Sequence, residues 1–149
     1  MERLALLAAT LCYLFGFGHT LFVLGSGRFH PGRFNVLAVA LGAAAQGWYL
    51  SMRGAAEHSC PIGNLSETLV FLSWSIALIY LVIGPAYRLS LMGAFTSPLL
   101  LLLQIAALLL PREVRPVFLR PNPWVEAHAA LSLVAFGAFG LACVAGLMF

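Results

Sequence analysis

Neither lysine nor aspartate occurs anywhere in this chain, and charged residues of every kind fill only 9% of its 149 positions. An ordinary soluble domain carries about 25% charged residues, so this shortage excludes a water-facing surface over most of the chain. The eight basic residues are all arginine, set at the ends of apolar runs. That placement suits lipid headgroups or acidic ligand groups and excludes a nucleic-acid surface with interleaved aromatics. Cysteine is scarce as well: Cys12 and Cys143 lie inside apolar runs, Cys60 lies in a connection, and no Cys-x-x-Cys spacing occurs. Neither a disulfide framework nor a zinc site follows from them. What fills the chain instead is apolar, at 62% of residues.

A helix needs roughly 20 mainly apolar residues to cross a hydrocarbon core of ~30 Å. Five runs meet this need, at about 4–24, 34–52, 65–83, 89–110 and 123–149. They are continuously apolar and rich in Leu and Ala, whereas barrel strands alternate, so the expected fold is an all-α polytopic transmembrane bundle in one integral membrane domain. The first run exceeds the roughly 7–15 apolar residues of a signal peptide and is read as a retained helix. The connections are too short to hold a soluble domain. Any chemistry therefore belongs to the bundle or its two surfaces.

Arg3, Arg53, Arg112, Arg115 and Arg120 fall on the side of the amino terminus, against Arg28, Arg33 and Arg88 on the other. Counted alone, they favour a cytoplasmic amino terminus. On the amino-terminal side, Asn64 followed by Glu67 forms a capping box for the third helix, after a tight approach through Pro61 and Gly63. Asn122 before Pro123 makes a comparable start for the fifth. Trp48, Tyr49 and Trp124 reach the same side and read as an interfacial belt. Small residues at Gly42–Ala45 and Gly47, and at Ala138, Ala142 and Gly146, offer faces for close helix approach.

Histidine carries the functional expectation, because an ionisable group within a span is costly and a neutral imidazole ligates haem iron. His19 and His128 lie within spans. His128 stands four residues after Trp124, on one helix face, where a planar ligand held by the imidazole rests against the indole. An interhelical hydrogen bond to Gln46 explains His128 equally, and packing beside Gly16 and Gly18 explains His19. His30 and His58 are loop histidines; His58 with Cys60 supplies two ligands, too few for a metal site.

The segment CPIGNLSETLVFLSWSIALIYLVIGPAYRLSLMGAFTSPLLLLL, followed by WVEAHAALSLVAFGAFGLACVAGLMF, resembles the amino-terminal part of the cytochrome c assembly proteins of the CcsA, ResC and HemX-like type. Those proteins show a Pro-x-x-Asn-Leu-x-Glu helix start, an aromatic-rich helix, a Tyr-Arg turn, a Leu-rich helix, and then a helix opening on an apolar-His step. The resemblance implies a multi-pass protein of the cell inner (cytoplasmic) membrane that carries haem b toward the extracytoplasmic face. There the haem is joined to Cys-x-x-Cys-His in apocytochrome c with the help of an assembly partner. It implies that His128 is an axial ligand of the haem iron, with Trp124 beside it, and that Arg115 and Arg120 face the propionates. It also places the amino terminus outside, against the arginine count.

The family continues with a tryptophan-rich haem segment and a second outer histidine, and neither lies in these 149 residues. The expected enzymatic role is thus at most part of a cytochrome c haem lyase. Either a longer chain or a partner supplies the rest. With His19 about 15 and His128 about 5 residues into their spans, the two differ by roughly 15 Å in depth and would serve one haem in succession. Two other classes compete. A structural subunit of a membrane complex would be colourless, and a small transporter would need more polar residues at mid-membrane than Thr10, Gln46, Ser75 and Gln104 provide.

Overall fold

The computed structural model describes residues 2–27, 33–86, 90–111 and 122–147. They form five helices: α1 Glu2–Gly25, α2 Arg33–Glu57, α3 Leu65–Ala86, α4 Ser90–Leu109 and α5 Pro123–Leu147. At 1.5 Å per residue each is about 30 Å or longer, enough for a bilayer core. Four of them, α1, α3, α4 and α5, are also apolar enough to cross by length and composition. α2 is more polar because it turns Asn35 and Gln46 inward, both buried. The chain is a multi-pass helical membrane protein.

Successive helices run up and down, so the start of α1, the end of α2, the start of α3, the end of α4 and the start of α5 share one face. α2 packs on α1 and α3, and α4 packs on α3 and α1. α5 packs chiefly on α3 and stands at the edge. The core has two parts. One gathers Tyr13, Val39, Ala43, Ile76, Ala77, Tyr80, Met92, Leu100 and Leu141. The other, nearer the amino-terminal face, gathers Leu6, Tyr49, Leu50, Val70 and Ala107.

A buried polar tie joins four helices between these parts. Tyr13 donates its hydroxyl to Gln46 Oε1 at 2.6 Å. Gln46 Nε2 donates to Gln104 Oε1 at 2.6 Å and to Ser73 Oγ at 3.1 Å. Gln104 Nε2 donates to the Leu6 carbonyl at 3.2 Å. Bonds of this kind in membranes average only ~0.6 kcal/mol each, but they set helix register where hydrophobicity does not. Gln46, the partner the sequence offered His128, is engaged within the first four helices, and no bond between the two occurs among the described residues.

Local chemistry fixes the helix ends. Asn64 Oδ1 accepts the Glu67 amide at 2.8 Å, and Glu67 Oε2 accepts the Gly63 amide at 3.0 Å, so the expected capping box forms one residue wider than its simplest version. Asn122 Oδ1 accepts the Trp124 amide at 3.1 Å. The chain leaves α1 through a turn in which Gly27 takes a positive φ of 66°, which costs glycine little. α2 continues to Glu57, beyond the expected end near 52, because Arg53 is held by Glu57 and Glu67.

Two sequence expectations about helix faces change here. Tyr49, expected in the interfacial belt, is fully buried, while Trp48 and Trp124 face outward as expected. In α5 the close approach is made by Gly137, where a Cβ would stand 3.1 Å from Ser75 Cβ, whereas Ala138, Ala142 and Gly146 face away from the bundle.

Candidate functional site

On the amino-terminal face, residues 58–64 form a platform between α2 and α3. Arg53 anchors it: Nε and Nη2 donate to Glu67 Oε1 at 2.8 and 2.6 Å, and Glu57 and Glu2 add further carboxylates to the same guanidinium. Glu67 is only 1% exposed, so the guanidinium is what allows its charge to be buried. Sequence reasoning used Glu67 as a cap and missed the ion pair. The signal was the spare carboxylate oxygen, since the cap uses Oε2 and leaves Oε1 for a cation.

α5 starts against this platform. Glu126 Oε2 accepts the backbone N–H of Cys60 at 2.9 Å. Burial pushes the Cys60 thiol above its ordinary value, and the Glu126 charge beside it pushes in the same direction. The shift favours the protonated thiol, the less nucleophilic form. Because its folded-state pKa is raised, the associated stability is present below the ordinary thiol value and fades as pH rises through the raised one. In a protein lacking Cys12 and Cys143, alkylation of Cys60 at pH 8 is expected to be slower than that of a free thiol and to recover after unfolding. Equal rates before and after unfolding would contradict this protection.

His128 and Trp124 occupy the side of α5 turned away from α3. At 100° per residue, His128 lies opposite Gly137, which is buried against α3. Both side chains are exposed, Trp124 at 85%, and they share a face as their four-residue spacing requires. The imidazole is thus open to a ligand or a neighbouring helix from the outward side. His58, just after α2, is exposed with a positive φ of 49°.

His19 has a different environment. It lines an open-sided apolar groove of about 770 Å³ between α1 and α2, with Phe15, Phe22, Phe34, Leu37 and Cys12 among the walls. Its ring lies 4.6 Å from that of Phe34, centroid to centroid. The groove has the size of a cofactor site, ~300–1,000 Å³, and its walls and single imidazole suit a flat apolar macrocycle with a ligatable metal. His19 lies near the end of α1 on the face opposite His128, so the two are separated in depth by roughly 15–20 Å. The structure does not bring them together. Arg115 and Arg120, the expected propionate partners, lie outside the described residues. No group of three or more metal-ligating side chains occurs among the described residues.

Comparison with known proteins points one way. The chain is 32% identical over 93 residues to the cytochrome c biogenesis protein CcsA of Adiantum capillus-veneris, covering 59% of this chain and 29% of that one. It is 37% identical over 84 residues to CcsA of Synechococcus elongatus, covering 52% and 26%. It is 27% identical over 106 residues to CcsA of Porphyra purpurea, covering 67% and 33%. Over the aligned part the chain is CcsA-like, and it spans about a quarter to a third of the length of these curated relatives. No protein-family model matches the chain. No solved structure matches it.

Proposed function

We propose that the chain is a haem-handling membrane component of cytochrome c biogenesis, holding or passing haem b toward the extracytoplasmic face for attachment to apocytochrome c. The observation that carries this reading is the similarity to several cytochrome c biogenesis proteins in a chain whose intramembrane ionisable groups include two histidines. Haem is the cargo here, and its iron accepts an imidazole nitrogen. His128 holds the iron near the amino-terminal face, and Trp124 lies along the macrocycle. Arg115 and Arg120, in the connection before α5, neutralise the propionates. His19 in its groove receives haem deeper in the membrane and serves as an earlier station, because one iron cannot reach both imidazoles.

The partners in this reading are an apocytochrome and an assembly protein that completes the site, and the membrane is the cytoplasmic membrane. The amino terminus and the connection before α5 are then extracytoplasmic. Single cysteines at Val117 and Gly27, in a background lacking the native three, are expected to label at Val117 alone with an impermeant thiol reagent in cells whose outer barrier is opened. Labelling at Gly27 alone would place His128 toward the cytoplasm and remove the basis for delivery outward. The function itself is tested by the absorption spectrum and a pyridine haemochrome assay of detergent-purified protein expressed with haem supplied. A Soret band with haem b is expected, and a colourless folded protein would favour a structural subunit instead.

A further inference from the structure

α5 has two anchors of different kinds. At mid-helix, Gly137 lets the backbone approach Ser75 and Ile76 of α3, a contact that leaves no room for a Cβ without displacement. Further along, Leu141 and Val144 are buried. Toward the helix start the residues facing α3, Ala129, Ala130 and Leu133, are only half-buried. Two alanines and a half-buried leucine give this outer half little dispersion energy to resist swinging about Gly137. What holds it is polar: among the described residues, the bond from Cys60 N–H to Glu126 is the one hydrogen bond from the side chains of this half to another element.

The donor end of that bond rests on a firm base. Ile62 N–H donates to the Cys60 carbonyl at 2.8 Å, and Gly63 N–H donates to Glu67. Glu67 is in turn held by Arg53. The connection from Cys60 to Gly63 is thus tied into the ends of α2 and α3 before α5 meets it. Glu126 lies on the platform side, two residues and about 200° around the helix from His128. Fixing Glu126 therefore fixes both the height and the direction of the imidazole without touching it.

We infer that Glu126 is a positioning residue for His128: it locks the outer turns of α5 to the 58–64 platform and so sets where the imidazole presents itself to haem. This rests on the reading of His128 as a haem ligand. The bond needs an acceptor oxygen and not a charge, so Glu126→Gln keeps it and Glu126→Ala removes it. A role confined to the helix dipole would need the charge and would be lost in both variants.

The test uses the full chain with two readouts. Spin labels at Ala55→Cys and Ala127→Cys, in a background without the native cysteines, report the distance between the end of α2 and the start of α5 without any haem. A single narrow distance distribution is expected in the parent and in Glu126→Gln, and a broadened one in Glu126→Ala. Haem titration followed at the Soret band is expected to show affinity weakened by about 10-fold in Glu126→Ala, the usual scale for loss of a group that orients a metal ligand, and restored in Glu126→Gln. An unchanged distance distribution in Glu126→Ala overturns the inference, and so does equal haem weakening in both variants. Failure of the underlying reading looks different: His128→Ala would keep full haem affinity while Glu126→Ala still broadened the distances.

Discussion

His128→Ala is expected to lose most of the haem that the parent protein carries, while His58→Ala keeps it. Both histidines belong to the amino-terminal face, but their settings differ. His128 stands on the exposed side of α5 beside Trp124, whereas His58 closes α2 in a left-handed turn with no aromatic at helical spacing. Loss of an axial ligand removes the iron–nitrogen bond and leaves only apolar and propionate contacts, so the expected fall in affinity is well over 10-fold. His19→Ala distinguishes the stations: if haem passes through the α1–α2 groove first, this variant loads slowly yet retains haem delivered directly to the outer face. The measurement is haem per protein by pyridine haemochrome on monodisperse detergent-purified samples. A folded His128→Ala protein with an unchanged Soret band would sink the assignment of this residue.

Arg53→Met is expected to be among the most destabilising single changes in the chain, by about 3–5 kcal/mol, the usual consequence of leaving a buried carboxylate without its cation. Glu67 is almost wholly enclosed and receives two of its three side-chain bonds from Arg53, the third coming from Gly63 N–H. Arg53 is only partly exposed, so solvent screens this pair weakly. The thermal midpoint in detergent should fall on the order of 10 °C. The double variant Arg53→Met with Glu67→Gln should recover much of that loss, because no charge is then stranded. If the single variant melts with the parent, Glu67 is relieved in some other way and the platform does not depend on the pair. The same experiment separates the two roles of Glu67, since Glu67→Gln alone keeps an oxygen for Gly63 and costs the cap little.

Much of the molecule was legible from the chain alone, for reasons that can be named. Runs of about twenty mainly apolar residues have few places to go other than a membrane helix, so five helices stood where five runs predicted them, four of them apolar enough to cross by length and composition. Asn64, Glu67 and Asn122 disclosed their caps because such bonds are local in sequence. The resemblance to cytochrome c assembly proteins rested on motifs near these same helix starts. Polar residues closing α2 concealed its last turn, since Arg53 and Glu57 read as the end of a span until Glu67 was seen beside them.

Sequence by itself determined how many helices there are, where they begin and that histidine is the residue type able to bind haem iron. Only the tertiary structure decided which side of each helix faces inward. The reason is that lipid is as apolar as a packed interior, so a uniformly apolar helix carries no hydropathy signal for its direction. Tyr49 turned in while Trp48 turned out, and Gly137 approached α3 while Ala138 faced away, though neighbouring residues differ little in polarity. Direction came instead from steric approach at glycine and from a few polar bonds, Tyr13 to Gln46, Arg53 to Glu67 and Cys60 to Glu126, whose partners lie 33, 14 and 66 residues apart. Separations of that size leave no periodic mark in a sequence. They nevertheless place His19 in a groove and His128 in the open.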